Sequence, residues 1–513
     1  MNGTKLQYIS DKLSDEIIKS WEMESEENIL IVAGTNAGKS YFIKNRLYAY
    51  CKKHNLKILY LVPRKALKNQ FHKELKKNNK LDVITVMDYQ ALEAMIKRGS
   101  DIYGYLQKFD YIVNDEFHYF TSDASYNKNT IFSLNAIIGT TGAIKIWLSA
   151  TADKTVKFLE QKCNVHFKRY DFEGLRKTIH LVTYKDEKEL DQIVDIGITE
   201  GIKTILFTND LHYGVKLTER YERYATFNCS ETNYYFYKYV NKNEIKYIEE
   251  NEKFKKNILI TSTAMDCGLN ICDDTVNNIV IHNIHDIDTI IQCIGRKRIM
   301  RETDNITVYI PEIENASLRG YMASVSRNMA RAYFLEKHTV TELIEEVDKH
   351  SRRFSKIERI VYDSIENGVP TKVINTAAYF HFDELMKEYK QMITLGTHGF
   401  RKLLMQKLGI AQYEEFDGTD YKDLACYLES MVVEGKSTKK ADRYKVMKSK
   451  AEKDKFIDRL KLAHKDDYLR DLKVINGILE SFCLPYRVDS FLTSTMVNGQ
   501  KKSVRAWKVI RTS

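Results

Sequence analysis

The stretch "AGTNAGKS" at residues 33–40 has the length and the ending of a loop that cradles phosphates. Backbone N–H groups from Ala33, Gly34, Thr35, Asn36 and Ala37 would face the phosphates, and Gly38 lets the chain come close. Lys39 would neutralise the terminal phosphates, and the Ser40 hydroxyl would bind Mg²⁺. Asn36 stands where many such loops have a glycine. It remains suitable, because Asn tolerates left-handed backbone angles better than most residues. A loop of this kind needs a metal carboxylate and a water activator at the end of a nearby strand. "YIVNDEFH" (111–118) supplies both. Asp115 would hold Mg²⁺ through water, and Glu116 would position or deprotonate the attacking water. His118 is placed to sense the phosphate and to touch a second domain.

The elements that must position these groups are readable around them. "NILIVA" (28–33) is an apolar, β-branched run, and "KSYFIKNRLYAYCKKH" (39–54) a helix, which is the strand–loop–helix order a phosphate loop requires. Strands at 56–63, 81–86, 109–116 and 143–151 alternate with helices at 64–78 and 89–98, which predicts a parallel sheet covered on both faces. The pattern restarts near 178, with strands predicted at 178–184, 203–210, 256–264, 276–283 and 305–311. Residues 171–177 join the two α/β domains. After Pro311 long amphipathic segments predict a mainly helical region. It ends in a hairpin over 490–510, turned by Asn498-Gly499.

"AGTNAGKS", "LVPRKAL", "DEFH" and "LSAT" occur in this order, followed by "TILFTND", "ITSTAMDCGLNI" (260–271) and "QCIGRKR" (292–298). Together they resemble the motifs of superfamily 2 nucleic-acid helicases of the DExH type, over about residues 28–312. The resemblance implies two tandem RecA-like parallel-sheet domains with ATP and Mg²⁺ between them. Residues 1–27 would lead in, 28–175 and 176–312 would be the two motor domains, and 313–513 a helical accessory domain ending in a basic, winged-helix-like hairpin. Carried over residue by residue, Gly268 and Asn270 would join the phosphate loop at the nucleotide, and Gln292 would contact the γ-phosphate or the water. Arg296 and Arg298 would act as arginine fingers, with Arg301 an alternative second finger. Ser149 and Thr151 would couple hydrolysis to domain motion. Arg64 and Thr85 would touch the nucleic-acid backbone from the first domain, and Ser262 and Thr263 from the second. No adenine-reading glutamine is evident upstream, which leaves base selectivity open.

The net charge is +10 over 513 residues, and +8 of it lies in residues 313–513, with 36 Lys+Arg against 28 Asp+Glu. A polyanion partner fits this bias. Residues 436–461 hold eleven basic and four acidic residues, and Lys501, Lys502, Arg505, Lys508 and Arg511 surround Trp507 in the hairpin. The basic groups read as nucleic-acid contacts, while Trp507 reads either as a base-stacking residue or as packing within its own domain. Eight cysteines without a CxxC pair, a polar N-terminus and no apolar run near ~18 residues predict a reduced, cytoplasmic protein with no membrane partner. The expected activity is ATP-dependent translocation and strand separation, on DNA in preference to RNA. The composition resembles a phage or mobile-element replication or recombination helicase, with replication proteins as partners. An RNA helicase, a duplex translocase and an origin-binding initiator with an ATPase switch stay open as alternatives.

Overall fold

The computed structural model describes residues 8–23, 28–34, 37–172, 178–263, 270–298, 305–366, 368–416, 427–429, 431–433, 445–463, 471–482, 484–497 and 500–512. The first sheet holds β1 (Asn28–Ala33), β2 (Ile58–Val62), β3 (Ile84–Asp88), β4 (Tyr111–Asp115), β5 (Ile144–Ser149) and β6 (Lys168–Phe172). All its pairings are parallel, in the order β3-β2-β4-β5-β1-β6. Every residue of β2 and of β4 is buried, as expected of central strands covered by helices on both faces. The sheet separates two cores. One gathers Trp21, Ile31, Tyr60 and Leu148, and the other Leu30, Leu61, Ile112 and Trp147.

The second sheet is also wholly parallel. It contains β7 (Thr178–Tyr184), β8 (Lys203–Thr208), β9 (Ala225–Asn228), β10 (Ile258–Thr261), β11 (Val276–His282) and β12 (Asn305–Pro311). Two parallel-sheet α/β domains therefore stand in tandem. β6 and β9 were not expected from the sequence. β6 alternates exposed and half-buried positions at a sheet edge, and β9 is four residues long, so neither makes an apolar run.

The region after Pro311 is less uniformly helical than expected. Helices Asn315–Leu335 and Thr376–Thr394 flank an antiparallel hairpin of β13 (Val361–Glu366) and β14 (Val369–Ile374). These helices share one continuous core with both parallel-sheet domains: Leu318, Met329, Phe380 and Leu385 cluster with Leu181, Ile287 and Phe158. A short strand, β15 (Glu414–Glu415), then pairs in parallel with β7 at the edge of the second sheet. Residues beyond 426 form a separate small core. Helices Lys450–Ala463 and Leu472–Ser481 pack there on the antiparallel pair β16 (Tyr486–Val497) and β17 (Gln500–Arg511). The region 313–513 thus divides into a part that shares the core of the sheet domains and a distal part. Among the described residues no helix is long and apolar enough to cross a membrane.

Candidate nucleotide-binding cleft

Strand adjacency brings the chemistry together. β5 lies between β1 and β4, with Ser149 opposite Val32 and Leu148 opposite Asp115. The loops carrying Lys39, Glu116 and Thr151 therefore leave the same edge of the sheet. Gly38 has φ +88°, and a Cβ there would lie 3.6 Å from the Tyr8 ring. The Gly34 N–H donates to the Phe172 carbonyl at 3.4 Å, and the Ala37 N–H to the Gly34 carbonyl at 3.3 Å. Thr35, Asn36, Gly268 and Arg301 lie outside the described residues. After Gly38 the helix runs from Lys39 to His54, widened to i→i+5 bonding over Phe42–Leu47.

Lys39 Nζ sits 3.2 Å from Glu116 Oε1. Glu116 Oε2 faces His118 Nδ1 at 3.4 Å and accepts from Ser149 Oγ at 3.5 Å. His118 Nδ1 is also 3.2 Å from Ser149 Oγ, so it meets the "SAT" serine of its own domain. The Thr151 N–H donates to Ser149 Oγ at 3.1 Å. Glu116 holds this position with φ +47°, a left-handed conformation that a non-glycine residue adopts at a cost of about 1 kcal/mol or more. Burial opposes ionisation of Glu116. The Lys39 charge, the His118 hydrogen bond and the Arg296 charge outweigh it and hold the carboxyl well below the usual range. Asp115 is pushed up to about 6 by burial and by the Glu116 charge, against the pull of Lys39 and Tyr60. Two adjacent carboxyls with opposed shifts suit separate roles.

Tyr60 was not anticipated. Its buried hydroxyl donates to Asp115 Oδ2 and also meets the Ser40 hydroxyl, so it joins the two groups expected to serve Mg²⁺. The signal was present, since Tyr60 precedes the end of a buried strand beside β4, but only the pairing of β2 with β4 gives it a partner. Among the described residues no three His, Cys, Asp or Glu side chains cluster in metal-binding fashion. A divalent cation at Ser40 and Asp115 would therefore need phosphate oxygens to complete its shell.

The second domain faces this cluster across a cleft of about 1230 Å³. Gln292 Nε2 crosses it and donates to Thr151 Oγ1 at 2.8 Å. Arg296 and Arg298 line the same space as Lys39 and Glu116. Asn270 orients Arg298, accepting from its Nε at 2.9 Å. Arg296 is 9% exposed, and its Nε is buried with no hydrogen-bond partner among the described residues. An unsatisfied buried guanidinium N–H beside a lysine and a second arginine is a donor set that fits an anion of phosphate type. The remaining wall came from outside the expected motor: residues 406–414 of the third region also line the cleft. β15 fixes this segment at the sheet edge. His180 Nε2 lies 3.0 Å from a Glu414 carboxylate oxygen, and the Phe416 N–H donates to the Thr183 carbonyl at 2.8 Å.

The residues expected on the nucleic-acid backbone are only partly gathered. Arg64 follows the C-terminal end of β2 and is braced by Asp123 at 2.5 Å. Thr263 Oγ1 donates to Asn209 Oδ1 at 3.0 Å, and the Ser262 N–H to the Asn228 carbonyl at 3.1 Å, both at the corresponding edge of the second sheet. Thr85 is not brought to that edge. It lies opposite Leu59 near the start of β3, three residues before the strand's C-terminal end. Lys502 and Arg505 are exposed on β17. Trp507 packs against the distal core and exchanges backbone hydrogen bonds of 2.9 Å with Met447. The Lys501 side chain and the Asn498-Gly499 turn lie outside the described residues.

Residues 4–153 match the family described as "Type III restriction enzyme, res subunit". Among curated proteins, the chain is 30% identical over 158 residues to "DExH-box ATP-dependent RNA helicase DExH10" of Arabidopsis thaliana, covering 28% of this chain and 15% of that one. It is 25% identical over 151 residues to "mRNA transport homolog 4" of Caenorhabditis elegans, covering 27% and 14%. The chain thus spans about a seventh of the length of these relatives. Among solved structures it is similar to Mycobacterium smegmatis helicase Lhr bound to ssDNA and AMP-PNP, with 14% identity, TM-score 0.44 and coverage of 73% and 60%. It is also similar to S. cerevisiae Dbp5 bound to RNA and ADP BeF3, with 14% identity, TM-score 0.43 and coverage of 55% and 79%.

Proposed function

We infer that this chain, whose motifs resemble those of superfamily 2 helicases, is an ATP-driven motor that moves along a nucleic-acid strand and separates duplexes. The observation that carries the reading is the composition of one cleft: Lys39 and Glu116 from the first domain face Gln292, Arg296 and Arg298 from the second. Ser40 and Asp115 would hold Mg²⁺, which would draw charge from the phosphates and the leaving oxygen. Lys39 neutralises the terminal phosphates. Glu116, kept ionised by its neighbours, orients the attacking water and takes its proton. Arg296 meets the charge that develops on the transferring group, which makes it most effective in the transition state.

Hydrolysis is coupled to motion through the contact of Gln292 with Thr151, because that bond survives only while the domains are closed. Differential affinity for triphosphate and diphosphate then shifts the open–closed balance. Arg64 on one domain and Ser262 and Thr263 on the other grip the sugar–phosphate backbone, which carries little sequence information and so suits stepping. The family matched by the first domain is named for a restriction enzyme, and a curated relative for RNA unwinding. DNA, in replication or recombination, is our preferred track.

The test is ATP hydrolysis measured alone and with single-stranded DNA, duplex DNA and RNA of matched length, followed by displacement of a labelled strand. The expected result is stimulation by single strands, strongest with DNA, and ATP-dependent displacement. Hydrolysis unaffected by every nucleic acid would refute the motor.

A further inference from the structure

The second domain carries an aromatic patch that the cleft does not use. The segment after β9 reads "ETNYYFYKYVNK" (231–242). Tyr234 is 86% exposed, the most of any large hydrophobic side chain among the described residues, and Tyr235 is 64% exposed. Single exposed aromatics need no explanation, but adjacent ones on a short helix, Tyr234–Tyr237, form a surface. Phe236 and Tyr237 turn inward against the domain core and anchor it, with Tyr237 donating to Glu231 at 3.1 Å. Lys238 Nζ lies 4.8 Å from the Tyr235 ring centre and 5.0 Å from that of Tyr239, and Lys242 Nζ lies 5.3 Å from that of Tyr237. The patch therefore presents flat rings beside cations.

Its position is set by the sheet. The segment leaves the C-terminal end of β9, where Asn228 accepts from the Ser262 N–H at 3.1 Å and its Nδ2 donates to Thr261 Oγ1 at 3.4 Å. His212 lies three residues after Asn209, the partner of Thr263, and its ring meets Phe236 at 4.8 Å and Tyr235 at 6.2 Å. The aromatic patch and the backbone-gripping residues of the second domain are thus continuous on one loop edge.

We propose that Tyr234 and Tyr235 form a base-stacking platform for the single strand whose phosphates Ser262 and Thr263 hold, with Lys238 and Lys242 paired to adjacent phosphates. Stacking is tolerant of sequence, because every base has a π face, so it does not impede stepping. It gives the second domain a hold on the bases as well as on the backbone. This rests on the motor reading above.

The experiment uses the full chain and fluorescently labelled oligo(dT) and oligo(U), with anisotropy followed across a salt series. Tyr234→Ala/Tyr235→Ala weakens binding about tenfold or more at every salt concentration and leaves the slope of log K against log salt unchanged, since no phosphate contact is lost. Tyr234→Phe/Tyr235→Phe keeps the affinity, because the rings remain. Lys238→Gln/Lys242→Gln lowers the slope instead, by about 0.7 per lysine. Both tyrosines lie outside the core, and an unchanged melting temperature confirms that the alanine protein is folded. An alanine variant that binds both oligonucleotides as tightly as the wild type overturns the platform and leaves the patch to a protein partner. A wild-type chain that binds neither oligonucleotide sinks the motor reading itself, a separate and distinguishable failure.

Discussion

Glu116 joins the two halves of the cleft's chemistry. Lys39 and His118 hold its carboxylate, and Arg296 lowers its proton affinity from across the cleft. Glu116→Gln should keep nucleotide binding and reduce turnover by about a thousandfold, because a neutral amide cannot take the proton from water. Binding of a fluorescent ATP analogue and phosphate release measured on one preparation separate the two effects. Arg296→Ala should cut the rate by a similar factor with little change in nucleotide affinity, since on the proposed mechanism it meets charge that develops only in the transition state. An equal loss in binding and in rate would mean that Arg296 serves the ground state. The phosphate loop and the Asp-Glu pair were legible in the sequence because each is a contiguous run with a fixed chemical role. Tyr60 was not, because its partner Asp115 is 55 residues away and strand pairing alone makes them neighbours.

At the scale of elements, helix Thr376–Thr394 ties the two parallel-sheet domains together. Phe380 meets Phe158 of the first domain at 5.3 Å, and Asn375 donates to the Ala124 carbonyl at 3.4 Å. Glu388 on the same helix joins an ionic cluster in which Lys154 of the first domain lies 3.3 Å from Asp286, 2.8 Å from Asp288 and 3.2 Å from Glu388, and Lys407 lies 3.1 Å from Asp288 and 3.2 Å from Glu388. Lys154→Met should destabilise the protein by about 3 kcal/mol at neutral pH, because Asp286 loses its ion-pair partner and Asp288 and Glu388 are left with Lys407. The sign of the pH dependence follows. Against burial, Lys154 pulls the Asp286 carboxyl well below the usual range and opposes the rise that burial imposes on Glu388. Its loss makes both carboxyls easier to protonate in the folded state, so the deficit is greatest where they are ionised and shrinks as pH falls. Urea titrations at pH 8 and pH 5.5 check this; a deficit that grows in acid would contradict it. The β13–β14 hairpin shows what pattern reading passed over. "VYDSIENGVPTKVI" carries an Asn-Gly turn signal of the same kind as the one noted at 498–499, and Gly368 has φ +79°.

On the scale of the whole molecule, the third region forms one wall of the candidate nucleotide cleft. Its residues 406–414 line the cleft, held there by β15. A chain ending at residue 312 should lose nucleotide affinity and hydrolysis together, whereas one ending at 426 keeps every wall of the cleft. Titration of a fluorescent nucleotide into both truncations distinguishes them, and equal affinity would show that the segment is a bystander. The distal part has its own core, and it keeps Lys502 and Arg505 exposed while Trp507 is committed to packing. Charge reversal at Lys502 and Arg505 in the full chain should weaken nucleic-acid binding and flatten its salt dependence without lowering the melting temperature.

The sequence by itself determined the two parallel sheets and the groups at their edges. Buried parallel strands are continuous apolar runs, and phosphate chemistry demands particular residues in short contiguous order. It also carried the concentration of basic charge in residues 313–513, since charge is additive along a chain. Tertiary structure alone decided which motif residues meet. Thr85 and Arg64 both belong to strand–helix units of the first domain, but strand direction puts them toward opposite ends of the sheet. The cleft wall at 406–414 and the aromatic surface at 234–239 likewise came from long-range packing. Each depends on which strand lies at an edge or beside which neighbour, and no local pattern encodes that.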